Sequence, residues 1–426
     1  MKLIEEILST ENVRVALYKV IANKGAAGID GMEVTQLRDH MNANWWSIKQ
    51  SILERSYKPA PVRRVEMPKP NGGVRKLGIP TVVDRTLQQA IVQVLSPIFE
   101  KEFQENSYGF RPGRSCEQAV LKLLEYFNEG YEWIVDIDLE KFFDNVPQDK
   151  LMSYVGRVIQ DPDTESLIRK YLKTGVMENG MYHPTELGTP QGGNLSPLLS
   201  NVMLNELDKE LVSRGLRYVR YADDCVIAVG SSASANRVMH TITRWIERKL
   251  GLKVNATKTH VSRPSKLKYL GFGFYKNPQT GKWASRPHES SVEKFTRKLK
   301  RLCKRSWSIS MDKRISLLNP VIRGWVNYFA IGMMKGKLAD TDAHVRTMLR
   351  KVIWKQWKTP SKRAWGLRKL GVDNDLARRT SNCGDRYEWV VRRTCVAKCI
   401  SKEILSRKGL VSCLDYYLIR HSLKTN

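Results

Sequence analysis

The sequence predicts an α+β protein in which a part with antiparallel strands precedes a strongly basic helical part. Two observations indicate the strands. Strand-forming runs flank an acidic turn within Arg217–Val229, and apolar residues alternate with acids within Trp133–Leu139. A third observation, the helical spacing of apolar residues between Val292 and Phe329, indicates the helices. With 426 residues, the chain is long enough for about two or three domains with cores of their own.

The segment from Leu216 to Gly230 is typical of a β-hairpin with Tyr221-Ala222-Asp223-Asp224 at its tip. Two acids at such a tip each need water, a hydrogen-bond donor or a cation. A solvated turn is the commoner explanation of an adjacent Asp pair. The prediction of a metal site at this turn therefore depends on a third carboxylate elsewhere in the chain.

That third carboxylate is predicted in the strand before Phe143. Asp136 and Asp138 alternate with the apolar residues of Val135–Leu139, which places both acids on the opposite face of the strand. An edge strand has the same alternation, but the apolar character of the segment favours an interior strand. An acid at about 4 Å from Asp223 would repel it by roughly 4 kcal/mol at an effective dielectric constant near 20. Mg²⁺, a hard ion that prefers oxygen ligands, removes that penalty.

The hairpin and the acidic strand resemble the palm of a reverse transcriptase, and further motifs follow in the expected order. Those motifs are Arg63–Pro80, Ser107–Pro112, Gly188–Pro197, Leu252–Lys258 and Leu267–Gly273. The resemblance is specifically to the group II intron reverse transcriptase–maturases and covers nearly the whole chain. It implies a right-hand polymerase fold, with fingers and an antiparallel palm sheet followed by an α-helical thumb or maturase domain.

The resemblance and the charge distribution predict four parts of the chain. These are an N-terminal extension at 1–58, fingers and palm at 59–285, a helical thumb (maturase) domain at 286–363 and a basic DNA-binding segment at 364–426. The net charge is +29, and residues 286–426 contain 33 basic and 11 acidic residues, a net +22. The first 285 residues carry the remaining +7. The C-terminal third is therefore the predicted polyanion-binding part.

The catalytic residues follow from the resemblance. It implies that Asp138, Asp223 and Asp224 bind two Mg²⁺ ions, which Mn²⁺ can replace, for two-metal nucleotidyl transfer. Asp138 is preferred to Asp136 because it stands five positions before the aromatic gate residue, Phe143. Asp136 then becomes a structural neighbour or an outer acid of the site.

The resemblance also assigns residues around the incoming deoxynucleotide and the primer. Phe143 is expected to exclude the ribose 2′-hydroxyl, which makes dNTPs the substrates, whereas Phe142 is the better candidate for a core residue. Gln191 is expected beneath the nucleotide, and Lys258 matches a proposed proton donor to pyrophosphate. Leu270-Gly271 is expected to hold the primer terminus.

Lys69 and Arg75 stand on either side of Asn71-Gly72-Gly73, a sequence typical of a type I′ hairpin turn. Such a basic hairpin can fold onto the triphosphate of a nucleotide, with Arg forking to phosphate oxygens. A solvated hairpin with ordinary surface charges is the alternative. Only the family resemblance favours the nucleotide-binding interpretation.

The C-terminal third is predicted to be helical and to bind nucleic acid. Apolar stripes run from Val292 to Leu302 and from Ile315 to Phe329, with Pro320 as a break or kink in the second. A third helix is predicted near His344–Trp357. Basic amphipathic helices also bind membranes, but their place after a palm favours RNA and duplex contacts. The predicted contact residues are Lys24, Arg297, Lys298, Arg301, Arg305, Lys351, Lys355 and Lys358.

The N-terminal part and the cysteines set the remaining expectations. Leu3–Ala22 has a helical pattern, and the following loop, Asn23–Gly31, resembles the family's lid, although a plain flexible loop stays open. That loop lacks the ending of a phosphate-binding P-loop. The start of the chain lacks the features of a secretion signal, and no apolar stretch approaches 18 residues. Seven scattered cysteines argue against a disulfide framework, so a cytoplasmic protein is expected, and the family resemblance implies a bacterial one.

The expected function is RNA-directed DNA polymerisation on group II intron RNA, in target-primed retrohoming, together with intron binding as a splicing maturase. The expected partners are intron RNA, an RNA template–DNA primer duplex, target DNA and dNTPs, without a membrane. A compact class C protein without an endonuclease domain is expected, as a cytoplasmic ribonucleoprotein. The alternative is an RNA-binding maturase or RNA chaperone with a non-catalytic palm. A homodimer remains open.

Overall fold

The protein is described from a computed structural model, in residues 2–68, 73–189 and 192–425. The chain divides into two compact units, one ending at Arg263 and the other beginning at Pro264. The division of the chain into four functional parts remains a prediction.

The first unit contains mixed α and β structure. Its strands are β1 (Val62–Pro68), β2 (Val74–Ile79), β3 (Trp133–Ile137), β4 (Val176–Glu178), β5 (Met181–His183), β6 (Arg217–Tyr221), β7 (Asp224–Val229) and β8 (His260–Ser262). Its helices are α1 (Leu3–Ile7), α2 (Thr10–Ala22), α3 (Leu37–Leu53), α4 (Val82–Glu100), α5 (Cys116–Asn128), α6 (Phe142–Asn145), α7 (Gln148–Ile159), α8 (Pro162–Leu172), α9 (Ser196–Ser213) and α10 (Ser232–Trp245), which continues as a π-helical turn, Ile246–Leu250.

A four-stranded sheet in the order β6-β7-β3-β8 forms the predicted palm, and its neighbouring strands are all antiparallel. The two inner strands, β3 and β7, are largely buried, with Val135 and Ile227 at 0% exposure. Helix α9 is buried along much of its length and contributes to the same core. The expected antiparallel palm sheet and α+β fold are confirmed.

A second four-stranded sheet, in the order β2-β1-β4-β5, corresponds to the predicted fingers. Strands β1 and β2 are antiparallel, and Pro68 pairs with Val74 at the closed end of their hairpin. The predicted type I′ turn at 71–73 and Lys69 fall largely outside the described residues. The hairpin arrangement of the two flanking strands agrees with the sequence.

The N-terminal helical pattern proves to be two helices. Helix α1 ends at Ile7 and α2 begins at Thr10, because the Ser9 side chain accepts a hydrogen bond from the Asn12 amide as an N-cap. The prediction of one helical stretch from Leu3 to Ala22 missed this boundary.

The second unit begins with a three-stranded sheet of β9 (Lys268–Tyr269), β10 (Phe272–Lys276) and β11 (Trp283–Pro287), preceded by a 3₁₀ turn at Pro264–Lys266. Its helices are α11 (Glu289–Leu302), α12 (Met311–Phe329), α13 (Lys335–Gln356), α14 (Pro360–Lys369), α15 (Asn374–Ser381), α16 (Tyr387–Arg393), α17 (Val396–Cys399), α18 (Lys402–Arg407) and α19 (Cys413–Thr425). In the described parts of the chain, no helix is both long and apolar enough to cross a bilayer.

Three features of the second unit differ from the sequence expectations. Helix α12 continues through Pro320 without ending there. Helix α13 begins at Lys335, well before the predicted start near His344. The region after Ala364, which has weak helical periodicity, folds into a series of short helices whose ends are set by caps such as those of Asp373 and Ser401.

Candidate active site

The acidic hairpin forms as the sequence predicts. Strands β6 and β7 are joined by a two-residue turn, Ala222-Asp223, and Tyr221 pairs with Asp224 across it. Ala222 has a φ of +56°, the left-handed conformation that a tight hairpin turn requires. Asp223 therefore lies in the turn itself, and Asp224 is the first residue of β7.

Strand β3 brings Asp138 to the same end of the sheet. It runs antiparallel to β7, and its last residue, Ile137, pairs with Cys225. Asp138 follows Ile137 and Asp224 precedes Cys225, so the two acids are next to each other across the strand pair. The amide of Asp138 donates to the hydroxyl of Thr259 at 3.2 Å, which fixes its main chain.

The electrostatics of the acids reflect this crowding. Burial, followed by the charges of Asp223, Asp136 and Asp138, raises the pKa of Asp224 to about 7, although part of its surface is open to solvent. Burial also raises the pKa of Asp223, and Asp138 adds to that rise, while Arg75 opposes it. Burial likewise raises the pKa of Asp136 to about 6. A bound cation would relieve this accumulation of negative charge.

Lys258 partly supplies that positive charge. Its Nζ lies 3.3 and 3.4 Å from the two carboxylate oxygens of Asp138. Its side chain is 66% exposed, so the contact is a solvated one of small energy. The sequence motif that contains Lys258 therefore does fold against Asp138, the acid that follows β3.

The donor set fits a divalent ion in its chemistry. Among residues 2–68, 73–189 and 192–425, no three His, Cys, Asp or Glu side chains already converge as a metal site. The carboxylates of Asp138, Asp223 and Asp224 are nevertheless hard oxygen ligands at one end of one sheet, where their mutual repulsion favours a cation. The assignment of these three acids as ligands remains a prediction.

The two adjacent phenylalanines of α6 have different surroundings. Phe142 is 2% exposed and belongs to the core, whereas Phe143 is only partly buried and meets Phe142 edge to face at 5.2 Å. The main-chain oxygen of Phe143 accepts a hydrogen bond from the Thr189 amide at 2.7 Å. The partial exposure of Phe143 agrees with its predicted role, which stays a prediction.

The predicted nucleotide-binding residues are only partly described. Arg75 lies on β2, exposed, and its charge lowers the pKa of Asp223 against the effect of burial. Lys69 and Gln191 lie outside the described residues. After Gln191, Gly192 packs so closely on the fingers that an added Cβ would lie 2.4 Å from the carbonyl oxygen of Gly78. Glycine is therefore needed there for the close approach that the sequence predicts.

The predicted primer-binding residues form a tight turn in the second unit. Leu270 and Gly271 join β9 to β10, and both have positive φ, at 49° and 83°. The hydroxyl of Tyr328 donates to the Leu270 carbonyl at 2.8 Å, and the Ser291 hydroxyl donates to the Gly271 carbonyl at 2.9 Å. The turn is thus held by α11 and α12.

The basic face predicted on α11 exists. Phe295, Leu299 and Leu302 are buried, and Phe295 stacks on Trp325 of α12 at 4.3 Å. The basic residues on the other side of the helix are exposed: Lys294, Arg297, Lys298, Lys300 and Arg301. Lys304 and Arg305, which follow the end of the helix at Leu302, are exposed as well. Lys24, in the N-terminal loop of the first unit, is also exposed.

Helix α13 does not hold all three of the contact lysines predicted near its end, Lys351, Lys355 and Lys358. Lys351 forms an ion pair with Glu388 of α16, and its side chain is 24% exposed. Lys358 lies beyond the end of α13 with a φ of +39°, so it does not share a helix face with Lys351 and Lys355. Trp354 is fully buried and donates to the Gly384 carbonyl, which excludes it from base stacking.

The sequence reasoning missed Arg220. Strand alternation in Arg217–Tyr221 places Tyr218 and Arg220 on one face, and both are fully buried in the structure. An arginine on the inward face of a strand was the available signal. Its partner, Asp208, lies on α9, and no local sequence pattern indicates that these two residues pair.

Comparisons with known proteins agree with this arrangement. Residues 67–274 match the family "Reverse transcriptase (RNA-dependent DNA polymerase)", and residues 292–371 match "Group II intron, maturase-specific domain". Protein YkfC of Escherichia coli K12 is 33% identical over 300 residues, which cover 61% of this chain and 79% of YkfC.

A further relative is the group II intron-encoded protein LtrA of Lactococcus lactis, 31% identical over 346 residues. This alignment covers 64% of this chain and 56% of LtrA. Among solved structures, a chain titled "Partial Cas6-RT-Cas1--Cas2 complex" aligns with a TM-score of 0.38 and 23% identity. That alignment covers 61% of this chain and 44% of the other, a similarity too low to inform function.

Proposed function

This chain belongs to the family of group II intron-encoded reverse transcriptase–maturases, and from that premise we propose what its sites do. It copies group II intron RNA into DNA in target-primed retrohoming and binds the same RNA as a splicing maturase. The observation that carries the polymerase proposal is the register of β3 against β7, which sets Asp138 beside Asp224 next to the Asp223 turn.

The acids are proposed to hold the metal ions of the reaction. Reverse transcriptases use divalent metal ions. Two Mg²⁺ ions, or Mn²⁺ in their place, held by Asp138, Asp223 and Asp224 would activate the primer 3′-hydroxyl and stabilise the leaving pyrophosphate. Asp136, which raises the pKa of Asp224, contributes to the negative field that attracts such ions without itself being a ligand.

The other residues bind, orient or protonate. Lys258 approaches the acids on a long flexible stem and is proposed to donate a proton to the departing pyrophosphate. Arg75 is proposed to bind the triphosphate, and Phe143 to exclude the ribose 2′-hydroxyl. Lys69 and Gln191 are proposed to complete the nucleotide site. Leu270-Gly271 is proposed to position the primer end, because its rigid turn can approach a backbone closely.

The second unit is proposed to bind the intron RNA and the template–primer duplex. The exposed basic residues of α11 can contact phosphates of A-form helices, which proteins recognise by shape and backbone contacts. The basic residues after 364 are proposed to bind target DNA. In this proposal the protein acts as a ribonucleoprotein with intron RNA in the bacterial cytoplasm.

Primer extension on an RNA template with Mg²⁺ and dNTPs tests the polymerase proposal. Asp223→Asn should lower the rate by roughly a thousand-fold, equivalent to about 4 kcal/mol of barrier, and intron RNA binding in a filter assay should be retained. Asp149→Asn is the matched control, because Asp149 is 91% exposed and lies in the same unit. Extension by the Asp223→Asn variant at the unchanged rate would refute the site. If neither the wild-type protein nor Asp223→Asn extends the primer while both bind intron RNA tightly, only the maturase function is left.

A further inference from the structure

A buried hydrogen-bond network stands directly behind the acidic turn. Arg220, the residue before Tyr221, is completely buried together with Asp208 and Asn201 of α9. Its guanidinium donates to both carboxylate oxygens of Asp208, at 2.8 Å from Nε and 2.5 Å from Nη2. This is a bidentate ion pair, the most directional arrangement that an arginine offers.

The same guanidinium also reaches the turn. Nη1 of Arg220 donates to the carbonyl oxygen of Ala222 at 2.9 Å and to Oδ1 of Asn201 at 3.0 Å. Ala222 holds a left-handed φ of +56°, which costs an alanine free energy because its Cβ crowds the main chain. Alanine has no polar side chain to compensate for that conformation. The arginine bond to its carbonyl is therefore a specific stabilisation of the turn.

A second loop is fastened to the turn through the same residues. Nδ2 of Asn201 donates to the Gly109 carbonyl at 2.8 Å, and the main chain of Arg220 bonds to Asn106 and Tyr108, each at 2.9 Å. Gly109 touches the turn so closely that an added Cβ would lie 2.2 Å from the amide nitrogen of Ala222. Helix α9, the loop at 106–109 and the Ala222-Asp223 turn are thus linked through Arg220.

We propose that Arg220, oriented by Asp208, is a positioning residue for the reaction: it holds the Ala222 carbonyl so that Asp223 and Asp224 keep their geometry. The inference rests on the proposed polymerase function. Arg220 touches neither substrate nor metal, and it acts only through the turn. A displacement of about 1 Å at reacting groups costs on the order of 100-fold in rate, so even a small relaxation of this turn has a measurable effect.

Pre-steady-state incorporation of one dNTP, with template–primer in excess over enzyme, separates positioning from folding. The fraction of primer extended in the burst counts the correctly folded enzyme, and the burst rate constant reports the geometry of the site. Arg220→Lys retains the charge but cannot form the forked pair, and Arg220→Met removes both. The rate constant should fall in the order Arg, Lys, Met, by about 100-fold for Met, with the apparent Kd for dNTP and for template–primer changed less than about three-fold.

Asp208→Asn tests the other half of the pair, with Asp84→Asn as its matched control. Asp84 is also a buried carboxylate of the first unit, held by Tyr57 and Thr81, and it lies on α4. Asp208→Asn should lower the rate constant as Arg220→Lys does. Asp84→Asn should lower only the thermal midpoint and the extended fraction.

The two possible failures are distinguishable. Rate constants within about three-fold of wild type in all Arg220 and Asp208 variants, with only the extended fraction reduced, would make the network a purely structural one. The polymerase function would then stand, provided that Asp223→Asn still lowers the extension rate by roughly a thousand-fold. If Asp223→Asn retains full extension, the proposed site itself is wrong.

Discussion

The ion pair between Lys351 and Glu388 changes what should be expected of the basic surface of α13. The Glu388 carboxylate accepts a hydrogen bond from Lys351 and another from Nε of Arg392, which lies 2.6 Å away. These two partners, Lys351 first, lower the pKa of Glu388. A carboxylate that occupies Lys351 reduces what this lysine can offer to a phosphate, whereas Lys355 and Lys358 are exposed.

The size of the effect follows from counterion release. Each phosphate contact contributes about 0.7 to 0.9 to the slope of log affinity against log salt. Replacing Lys355 and Lys358 together by Gln should therefore flatten the slope by about 1.4 to 1.8. Lys351→Gln alone should change it by clearly less than one contact's share. Glu388→Gln should steepen it, because it frees both Lys351 and Arg392.

Fluorescence anisotropy of an RNA–DNA duplex, titrated at several salt concentrations from about 50 to 200 mM, gives these slopes. Lys101→Gln with Lys173→Gln is the control pair, since both lysines are exposed on the first unit. An unchanged slope in the Lys355 and Lys358 variant would show that these side chains do not contact the duplex. A full one-contact loss for Lys351→Gln would show that duplex binding displaces Glu388.

Two other results are expected. Phe143→Ala should admit ribonucleotides, measured as the ratio of dNTP to rNTP incorporation, and an unchanged ratio would locate the sugar gate elsewhere. Phe142→Ala should mainly lower the free energy of unfolding, by about 3 to 5 kcal/mol, because Phe142 is buried. His288 caps α11 by accepting from the Ser290 amide, and burial and then Lys268 lower its pKa. The unfolded state therefore binds more protons, so stability should fall as the pH drops below about 6.5 in denaturant titrations; a His288→Asn variant with the same pH dependence would contradict this.

Local patterns in the sequence were sufficient for the parts of the site that depend on neighbouring residues. The hairpin around Ala222-Asp223 forms because strand-forming residues flank a turn, and that determinant lies within a few positions. The alternation that places Asp136 and Asp138 on one face of the strand, and the apolar stripe of α11, are likewise set by the periodicity of a strand and a helix. The resemblance to a family then supplied their chemical roles.

Other features depended on contacts between residues far apart in the chain. The order β6-β7-β3-β8 pairs β3 with strands that are distant in the sequence, and only that pairing sets Asp138 beside Asp224. Lys351 pairs with Glu388 of another helix, α16, and is therefore less available to a phosphate. Long-range pairing of this kind depends on side-chain packing over the whole unit, which no local pattern encodes.

By itself, the sequence determined which residue types carry the chemistry, the acidic turn between two strands and the basic charge of the C-terminal third, because each depends on composition or local spacing. Only the tertiary structure decided that Arg220 turns inward to Asp208 and holds the Ala222 carbonyl, since a charged side chain is stable in a core only where a partner from elsewhere in the fold meets it.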